Sequence, residues 1–468
     1  TAPILLWLRR DLRLADQAAL CAAAEAGPVI PVYILDDDTP RHRRMGGASR
    51  WWLHHSLTQL DRDLRARGSR LILRQGKCAD VLPALAHEVG TDTVHAISHY
   101  EPWWRNAERD VARQLNLRLH HGNYLLPPGT VRTGSGQLYR IYTPFMKALM
   151  AHMPAPALLP APDSLVTPER WPASDDLADW ALLPSHPDWA RGFAEEWTPG
   201  EDGALGRLEN FLPRAEDYDT ARNLPAREGS SRLSPHLHFG EISPATIWHA
   251  LGRAQGDTGT FARELIWRDY AQNIILALPE YGRTNGRAQF DALRWRAQDE
   301  AASDVSAWRQ GRTGYPIVDA GMRQLWATGW MHNRVRMIAA SFLVKHLLVD
   351  WRVGEQWFWD TLVDADYAQN AVNWQWVAGS GVDANMFVRI MAPLVQSPKF
   401  DAGEYIRRWV PELASIRGAA IHDPDEFGCR PSDYPAKIIG HREARERALG
   451  AYRQISDEQA ESRIAPAR

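Results

Sequence analysis

The sequence predicts an α/β domain followed by an all-α domain: an N-terminal doubly wound parallel sheet in residues 1–125, a long connector in 126–199, and a C-terminal helical domain in 200–468. Three observations carry this expectation. The first 125 residues alternate short apolar runs with helix-length stretches, the order that folds as a parallel sheet covered by helices. Prolines then crowd the chain, at Pro127, Pro128, Pro154, Pro156, Pro160, Pro162, Pro168 and Pro172, and periodicity fades, as in a connector wrapped on a surface. From about Gly203 onward helical periodicity dominates and strand signals vanish. At 468 residues the chain is also longer than one ordinary core sustains.

Strands are expected at Ile4–Leu8, Val29–Leu35, Leu71–Leu73 and Val94–Ile97, short apolar runs of the kind buried on both faces of a parallel sheet. Helices fit Gln17–Ala26, Ala48–Arg67, Ala79–Val89 and Asn106–Leu115. No Gly-x-Gly-x-x-Gly follows the first strand, so a dinucleotide site there is not supported. The carboxyl ends of the strands remain the place for an auxiliary ligand. The stretch past Arg430 is charged and alanine-rich and is expected to form a terminal helix that frays at its end.

Hydrophobic content of 45% and charged content of 24% are those of a globular protein, and no run of eighteen apolar residues is present to span a membrane. The opening run Pro3 to Leu8 is too short for a secretory h-region and is followed, not preceded, by Arg9 and Arg10, so a cytoplasmic protein is expected. Cys21, Cys78 and Cys429 are odd in number and far apart; they offer no disulfide framework, zinc site or four-thiolate cluster. The adjacent pairs His54-His55 and His120-His121 lack a carboxylate or thiol at ligand spacing, and no metal is expected. A net charge of −3 argues against a generally basic nucleic-acid binder. Positive charge toward such a partner has to be local, and Arg222, Arg232, Arg268, Arg334, Arg336 and Arg389 form the group that fits.

The most informative stretch is Asp364 to Trp376, Asp-Ala-Asp-Tyr-Ala-Gln-Asn-Ala-Val-Asn-Trp-Gln-Trp. Asp364 and Asp366 can cap a helix start or accept from a ligand, and Asn370 and Trp374, four apart, share a helix face. Such a set suits a redox-active ring; a capped, aromatic core helix is the plain alternative. Ser230, Ser231 and Ser234 set three hydroxyls around Arg232, with Ser234-Pro235 reading as N-cap and N1. That arrangement makes a diphosphate cradle or an ordinary cap. Glu264, Trp267 and Arg268, at i, i+3 and i+4, converge an acid, a flat aromatic and a cation on one face, where a solvated salt-bridged face would rarely include the indole. Asn333 and Met337, again four apart, enclose Arg334 and Arg336. Of 21 tryptophans, ten lie from Trp267 to Trp376, more than a helical core needs for packing alone.

Taken in order, Tyr218 with Ser230-Ser231-Arg232-Leu233-Ser234, Glu264 to Tyr270, Trp330 to Met337 and Asp364 to Trp376 resemble the photolyase and cryptochrome family, specifically the bacterial enzymes that repair cyclobutane pyrimidine dimers. The resemblance runs from Leu5 to about Leu413. It implies a blue-light-driven lyase in which reduced FAD, held by the helical domain, passes an electron to a flipped dimer in UV-damaged DNA, without a membrane partner and as a monomer. FAD contacts are implied for Tyr218, Ser230, Ser231, Arg232, Leu233, Ser234, Glu264, Arg268, Asn333, Arg334, Asp364, Asp366 and Asn370, the last facing flavin N5. Glu264 would hydrogen-bond the damaged bases, Trp267 and Trp376 would flank them, and Asn333 and Met337 would touch flavin and lesion. DNA contacts are implied for Arg222, Trp267, Arg268, Arg336, Met337, Trp376 and Arg389. Relatives that repair (6-4) lesions carry histidine near Asn333 and Met337 because that chemistry needs a proton donor, which neither residue supplies. Trp374, Trp351 and Trp295 match a tryptophan wire to the flavin, with Trp308 competing for the distal place.

Two departures from the family pattern stand out. Ala392 replaces an asparagine, and Tyr100 to Asn106 does not match the residues that bind a folate antenna. The antenna stays open among methenyltetrahydrofolate, 8-hydroxy-deazaflavin, FMN and none. The rival reading is a cryptochrome photoreceptor without repair, which the joint presence of Glu264, Trp267, Asn333, Met337 and Trp376 disfavours. A light-independent flavin oxidoreductase is disfavoured because nothing resembles a nicotinamide site.

Overall fold

The computed structural model describes residues 2–464, which form two compact units of interleaved sequence. The α/β unit takes the chain up to Glu216 together with Ser231–Pro279 and Val363–Ala368. The helical unit takes Asp217–Ser230, Glu280–Leu362 and Gln369 onward.

The α/β unit is built on five parallel strands, β1 (Ile4–Leu8), β2 (Val29–Leu35), β3 (Ile72–Gln75), β4 (Thr93–Ile97) and β5 (Asn116–His120), in the order β3-β2-β1-β4-β5. Helices α1 (Ala18–Ala26), α2 (Gly47–Arg65), α3 (Cys78–Val89) and α4 (Pro102–Ala112) make the crossovers. Strands β1 and β2 are buried along their whole length, which is why they read as unbroken apolar runs. Leu5, Trp7, Ile30, Val32, Leu82, Val94 and Val111 share the core beneath the helices.

Three expectations shift. The third strand starts at Ile72 and continues to Gln75. Helix α4 begins at Pro102, four residues ahead of the expected start, because proline at the first turn lacks only an amide the helix does not use. Strand β5 was not foreseen. It is an edge strand whose Asn116, Arg118 and Leu119 are exposed, so it carries no apolar run, and pairing with β4 alone defines it.

The proline-rich stretch holds α5 (Tyr142–Met150) and α6 (Phe193–Glu196). Then follow α7 (Glu201–Phe211), α8 (Tyr218–Ala221), α9 (Ser234–His238), α10 (Pro244–Leu251), α11 (Gly259–Ala277), α12 (Gln298–Arg309), α13 (Pro316–Thr328), α14 (Asn333–Ser341), α15 (Trp351–Thr361), α16 (Tyr367–Ala378), α17 (Pro393–Lys399), α18 (Gly403–Trp409) and α19 (His441–Ile464). No strand follows β5 among the described residues. Helix α19 is the terminal helix expected past Arg430; the fraying expected at its end lies outside the described residues. After α14 the chain widens into a π-helical turn, Phe342–His346, where the Leu347 amide reaches back five residues to the Phe342 carbonyl at 3.0 Å.

The turn leaving β1 turns its arginines inward. Arg9 lies over the Trp7 ring at 4.0 Å and pairs with Glu108 at 2.7 Å. Arg13, fully buried, donates to the carbonyls of Gly122 and Gly240 and to Asn123 Oδ1, each at 3.0 Å. Gly240 has φ +66°, and a Cβ there would stand 2.1 Å from the Arg10 carbonyl, so only glycine lets the chain after α9 lie against this turn.

Candidate functional site

In the α/β unit the expected residues gather on α9, on α11 and on the segment Val363–Ala368. Arg232 sits in the left-handed region at φ +53°, a costly conformation for a residue with a Cβ, and this bend sets the entry to α9. Its guanidinium pairs with Glu196 at 2.9 Å. The capping expectation is corrected here: Leu233, not Ser234, is the N-cap, and Ser234 is the first helical residue. The Ser234 hydroxyl instead donates to Asp364 Oδ2 at 2.6 Å. A five-residue helix contributes little macrodipole, so hydroxyls and side chains carry the polarity of this corner.

Asp366 is buried and accepts from Arg10 Nη1 at 3.1 Å and from His238 Nδ1 at 3.2 Å. Burial alone would raise its pKa, but the His238 hydrogen bond and the Arg10 charge hold the carboxyl far below the usual range. His238 is pushed down by burial, so a neutral ring donating from Nδ1 to the carboxylate satisfies both groups. Neither Arg10 nor His238 is singled out by the sequence, because each lies more than a hundred residues from Asp366 with no spacing signal toward it.

On α11, Glu264, Trp267 and Arg268 stand at i, i+3 and i+4 of one helix, and Trp267 and Arg268 meet different neighbours. Trp267 is half-buried, with its ring 5.1 Å from Tyr270 and 4.9 Å from Tyr142. Arg268 lies over the Tyr124 ring at 4.6 Å and donates to the carbonyls of Asn123 and Leu237.

In the helical unit, Asn370 Nδ2 donates to the backbone carbonyl of Glu355 at 2.9 Å and to its carboxylate at 3.0 Å. A carbonyl can only accept, which fixes the amide orientation and leaves Asn370 Oδ1 open to a ligand's N–H. Trp374, four residues on, packs against Phe358 at 4.9 Å and Trp308 at 6.4 Å. Its indole N–H is buried with no hydrogen-bond partner among the described residues. Gly354 makes room for this ring: a Cβ there would lie 2.1 Å from Trp374 Cη2. Trp351 is fully buried and donates to Asn285 Oδ1 at 2.9 Å. Trp308 is fully buried, whereas Trp295 is half-buried and has no ring contact among the described residues.

Helix α14 carries Asn333, Arg334, Arg336 and Met337. Arg334 bonds Asn223, lies 4.5 Å over Phe400 and reaches Met337 Sδ at 3.8 Å. Arg336 donates to the Met331 carbonyl at 2.7 Å. His332, the one histidine beside this set, is the N-cap: its Nδ1 accepts from the Arg334 amide at 3.2 Å. Tyr218 is buried at the start of α8, Arg222 and Ser230 are half-buried, and Trp376 is half-buried on α16. Arg389 is exposed, and its carbonyl receives Lys345 Nζ at 2.8 Å. Burial pushes that lysine down to about 7. Ala392 occupies the N-cap of α17 without a side-chain cap, so the departure at this position forgoes a bond an asparagine would make.

Against this geometry, the family model described as DNA photolyase matches residues 4–163, and that described as the FAD binding domain of DNA photolyase matches 261–454. A deoxyribodipyrimidine photo-lyase of Agrobacterium fabrum is 47% identical, over 97% of this chain and 98% of that protein. The crystal structure of a bacterial class III photolyase from Agrobacterium tumefaciens is similar at TM-score 0.92 and 46% identity, covering 98% of both chains. A cryptochrome from Synechocystis sp. PCC6803 is similar at TM-score 0.85 and 28% identity, covering 96% of this chain and 99% of that one. This chain belongs to the DNA photolyase family and carries its FAD-binding domain. The residues present fit that cofactor: the helical unit holds an amide oxygen and a buried indole N–H without a partner among the described residues, and the α/β unit holds a hydroxyl beside a carboxylate. No helix among the described residues is long and apolar enough to cross a membrane, and none of their His, Cys, Asp and Glu side chains group to hold a metal ion.

Replacing Asp366 leaves the largely buried Arg10 charge with Glu101 as its remaining carboxylate. Asp366→Asn should therefore destabilise the protein by roughly 3 kcal/mol near neutral pH. The wild-type advantage is full above about pH 4, where the unfolded carboxyl is also ionised, and shrinks as the pH falls below that, because the unfolded chain takes up the proton first. Urea unfolding of both proteins from pH 3 to pH 7 checks the size and the narrowing.

Proposed function

We propose that this protein is a blue-light-driven deoxyribodipyrimidine photo-lyase that splits cyclobutane pyrimidine dimers in UV-damaged DNA into two pyrimidines, as a cytoplasmic monomer. In this reading residues 1–125 serve as an antenna-type domain, 126–199 as a connector and 200–468 as the FAD-binding catalytic domain. Reduced FAD, when bound, would supply on absorbing blue light the electron that opens the cyclobutane ring and would take it back once the two pyrimidines part, leaving no net redox change. The observation that carries the substrate is Glu264 one turn from the half-buried Trp267 on α11, a carboxylate and a flat ring presented together.

Trp267 and Trp376 offer the stacking surfaces that a base flipped from its helix requires, and a dimer flips at lower cost than an intact step. Glu264 accepts from the bases. Arg222, Arg268, Arg336 and Arg389 meet phosphates, so affinity falls with salt despite the negative net charge. Tyr218, Ser230, Ser231, Arg232, Leu233, Ser234, Arg334, Asp364 and Asp366 hold FAD, with Asn333 and Met337 touching flavin and lesion. Asn370 Oδ1 accepts from a protonated flavin N5, because both its amide protons are committed to Glu355. Asn333 and Met337, neither of which can give up a proton, favour a cyclobutane over a (6-4) substrate. Trp374 and Trp351 conduct electrons to oxidised flavin, with Trp295 as the distal member.

Chemically reduced protein, mixed with an oligonucleotide carrying one thymine cyclobutane dimer, should remove the dimer under blue light and leave it intact in the dark. Loss in the dark, or no loss with FAD bound, contradicts the assignment. Separately, Trp374→Phe should abolish photoreduction of oxidised FAD while repair by pre-reduced protein continues. Trp295→Phe and Trp308→Phe, compared in the same absorbance assay, identify the distal indole.

A further inference from the structure

The connector does more than join domains. Along α11 it is held by three hydrogen bonds from side-chain donors: Asn273 Nδ2 to the Tyr139 carbonyl at 2.7 Å, the Tyr270 hydroxyl to the Arg140 carbonyl at 2.9 Å, and the Tyr142 hydroxyl to the Arg263 carbonyl at 2.7 Å. The third bond falls on a particular group. In an α-helix the Arg263 carbonyl receives the backbone amide of Trp267, four residues on, so the Tyr142 hydroxyl is bound to the turn from which Glu264 and Trp267 project. The Tyr142 ring completes the restraint. Its centroid is 4.9 Å from that of Trp267 and 5.5 Å from that of Tyr270, which is itself 5.1 Å from Trp267, so three rings close a triangle with the half-buried indole at one corner. Phe145, buried one turn further along α5, packs on Tyr270 at 5.6 Å and anchors Tyr142 from its own helix. Burial pushes the Tyr142 hydroxyl up to about 12, with Glu264 adding to the rise and Arg263 opposing it, so the donor is present at every pH used for repair assays.

We propose that Tyr142 is a positioning residue for lesion recognition: through its hydroxyl on Arg263 and its ring on Trp267, it fixes the plane of the indole against which the flipped dimer stacks. This rests on the lesion-stacking role given to Trp267 above. A side chain that loses its rotamer freedom before the substrate arrives does not spend binding energy on ordering it. The indole has two rotatable bonds, and the two tyrosines restrict both.

The test compares dissociation constants for an oligonucleotide with one thymine dimer and for the same undamaged oligonucleotide, using FAD-loaded protein. Tyr142→Ala should weaken dimer binding about tenfold, the order of one lost stacking contact, and leave undamaged-DNA affinity within about twofold. The dimer concentration for half-maximal repair should rise in parallel, while repair at saturating dimer holds. Tyr142→Phe keeps the ring, removes only the hydroxyl bond and should lose roughly threefold, the order of one net hydrogen bond, which decides the matter if the alanine variant fails to load FAD. In a Trp267→Ala background, Tyr142→Ala should cost nothing further, because its action runs through the indole. Full dimer discrimination in both Tyr142 variants, with Trp267→Ala impaired, overturns the positioning role and leaves the stacking role of Trp267 intact. Full discrimination in Trp267→Ala itself overturns the stacking role instead.

Discussion

Three arginines leave the central strand within five residues, and the need to compensate their buried charge organises the α/β unit. An unpaired guanidinium inside a protein costs several kcal/mol, so each must find acceptors at good geometry. Arg9 turns back on the sheet, donating to the Ile97 carbonyl at 2.6 Å and pairing with Glu108. Arg10 reaches Glu101 on the sheet side and Asp366 on the segment Val363–Ala368. Arg13 collects carbonyls from Gly122 and Gly240 and the Asn123 amide oxygen. Segments more than two hundred residues apart in sequence are thus joined at one turn. At the carboxyl ends of β1 and β4, where α/β sheets usually take a ligand, Arg9 is bonded to the last residue of β4.

The consequence for chemistry is that α9 and the residues around Asp364 inherit their positions from the sheet. Ser234 is bonded to Asp364, and Asp366 to Arg10 and His238, so the groups assigned to the cofactor are braced by a buried polar network rather than by a loop. The helical unit solves the same problem differently. There Asn370 is oriented by Glu355, and Trp374 by a helix glycine that removes the atom which would collide with it. A glycine inside a helix costs about 1 kcal/mol relative to alanine, and Gly354 is where packing repays it.

Much of this was legible in the sequence, and the exceptions have physical causes. The buried strands announced themselves as apolar runs; the edge strand Asn116–His120 did not, because three of its five residues are exposed and its pairing is set by a neighbour distant in sequence. The i, i+4 relations of Asn370 with Trp374 and of Asn333 with Met337 followed from helix geometry alone. What stayed hidden were partners whose role depends on tertiary approach: Arg10 and His238 at Asp366, Glu355 at Asn370, Lys345 beneath Arg389, and Tyr142 against Trp267. Ser234 reads as an N-cap because serine before proline usually is one; the nearby Asp364 carboxylate draws its hydroxyl away, and the cap falls on Leu233.

The central claim, that the buried arginine turn places α9, is tested most directly by amide hydrogen exchange on Arg13→Met, which keeps the aliphatic stem and removes the donors. The account predicts exchange at least about tenfold faster in peptides spanning Leu233 to Ile242, with α15 in the helical unit unchanged. Equal protection of Leu233 to Ile242 in the variant and the wild-type protein would show that α9 holds its place without the arginine, and would contradict the account.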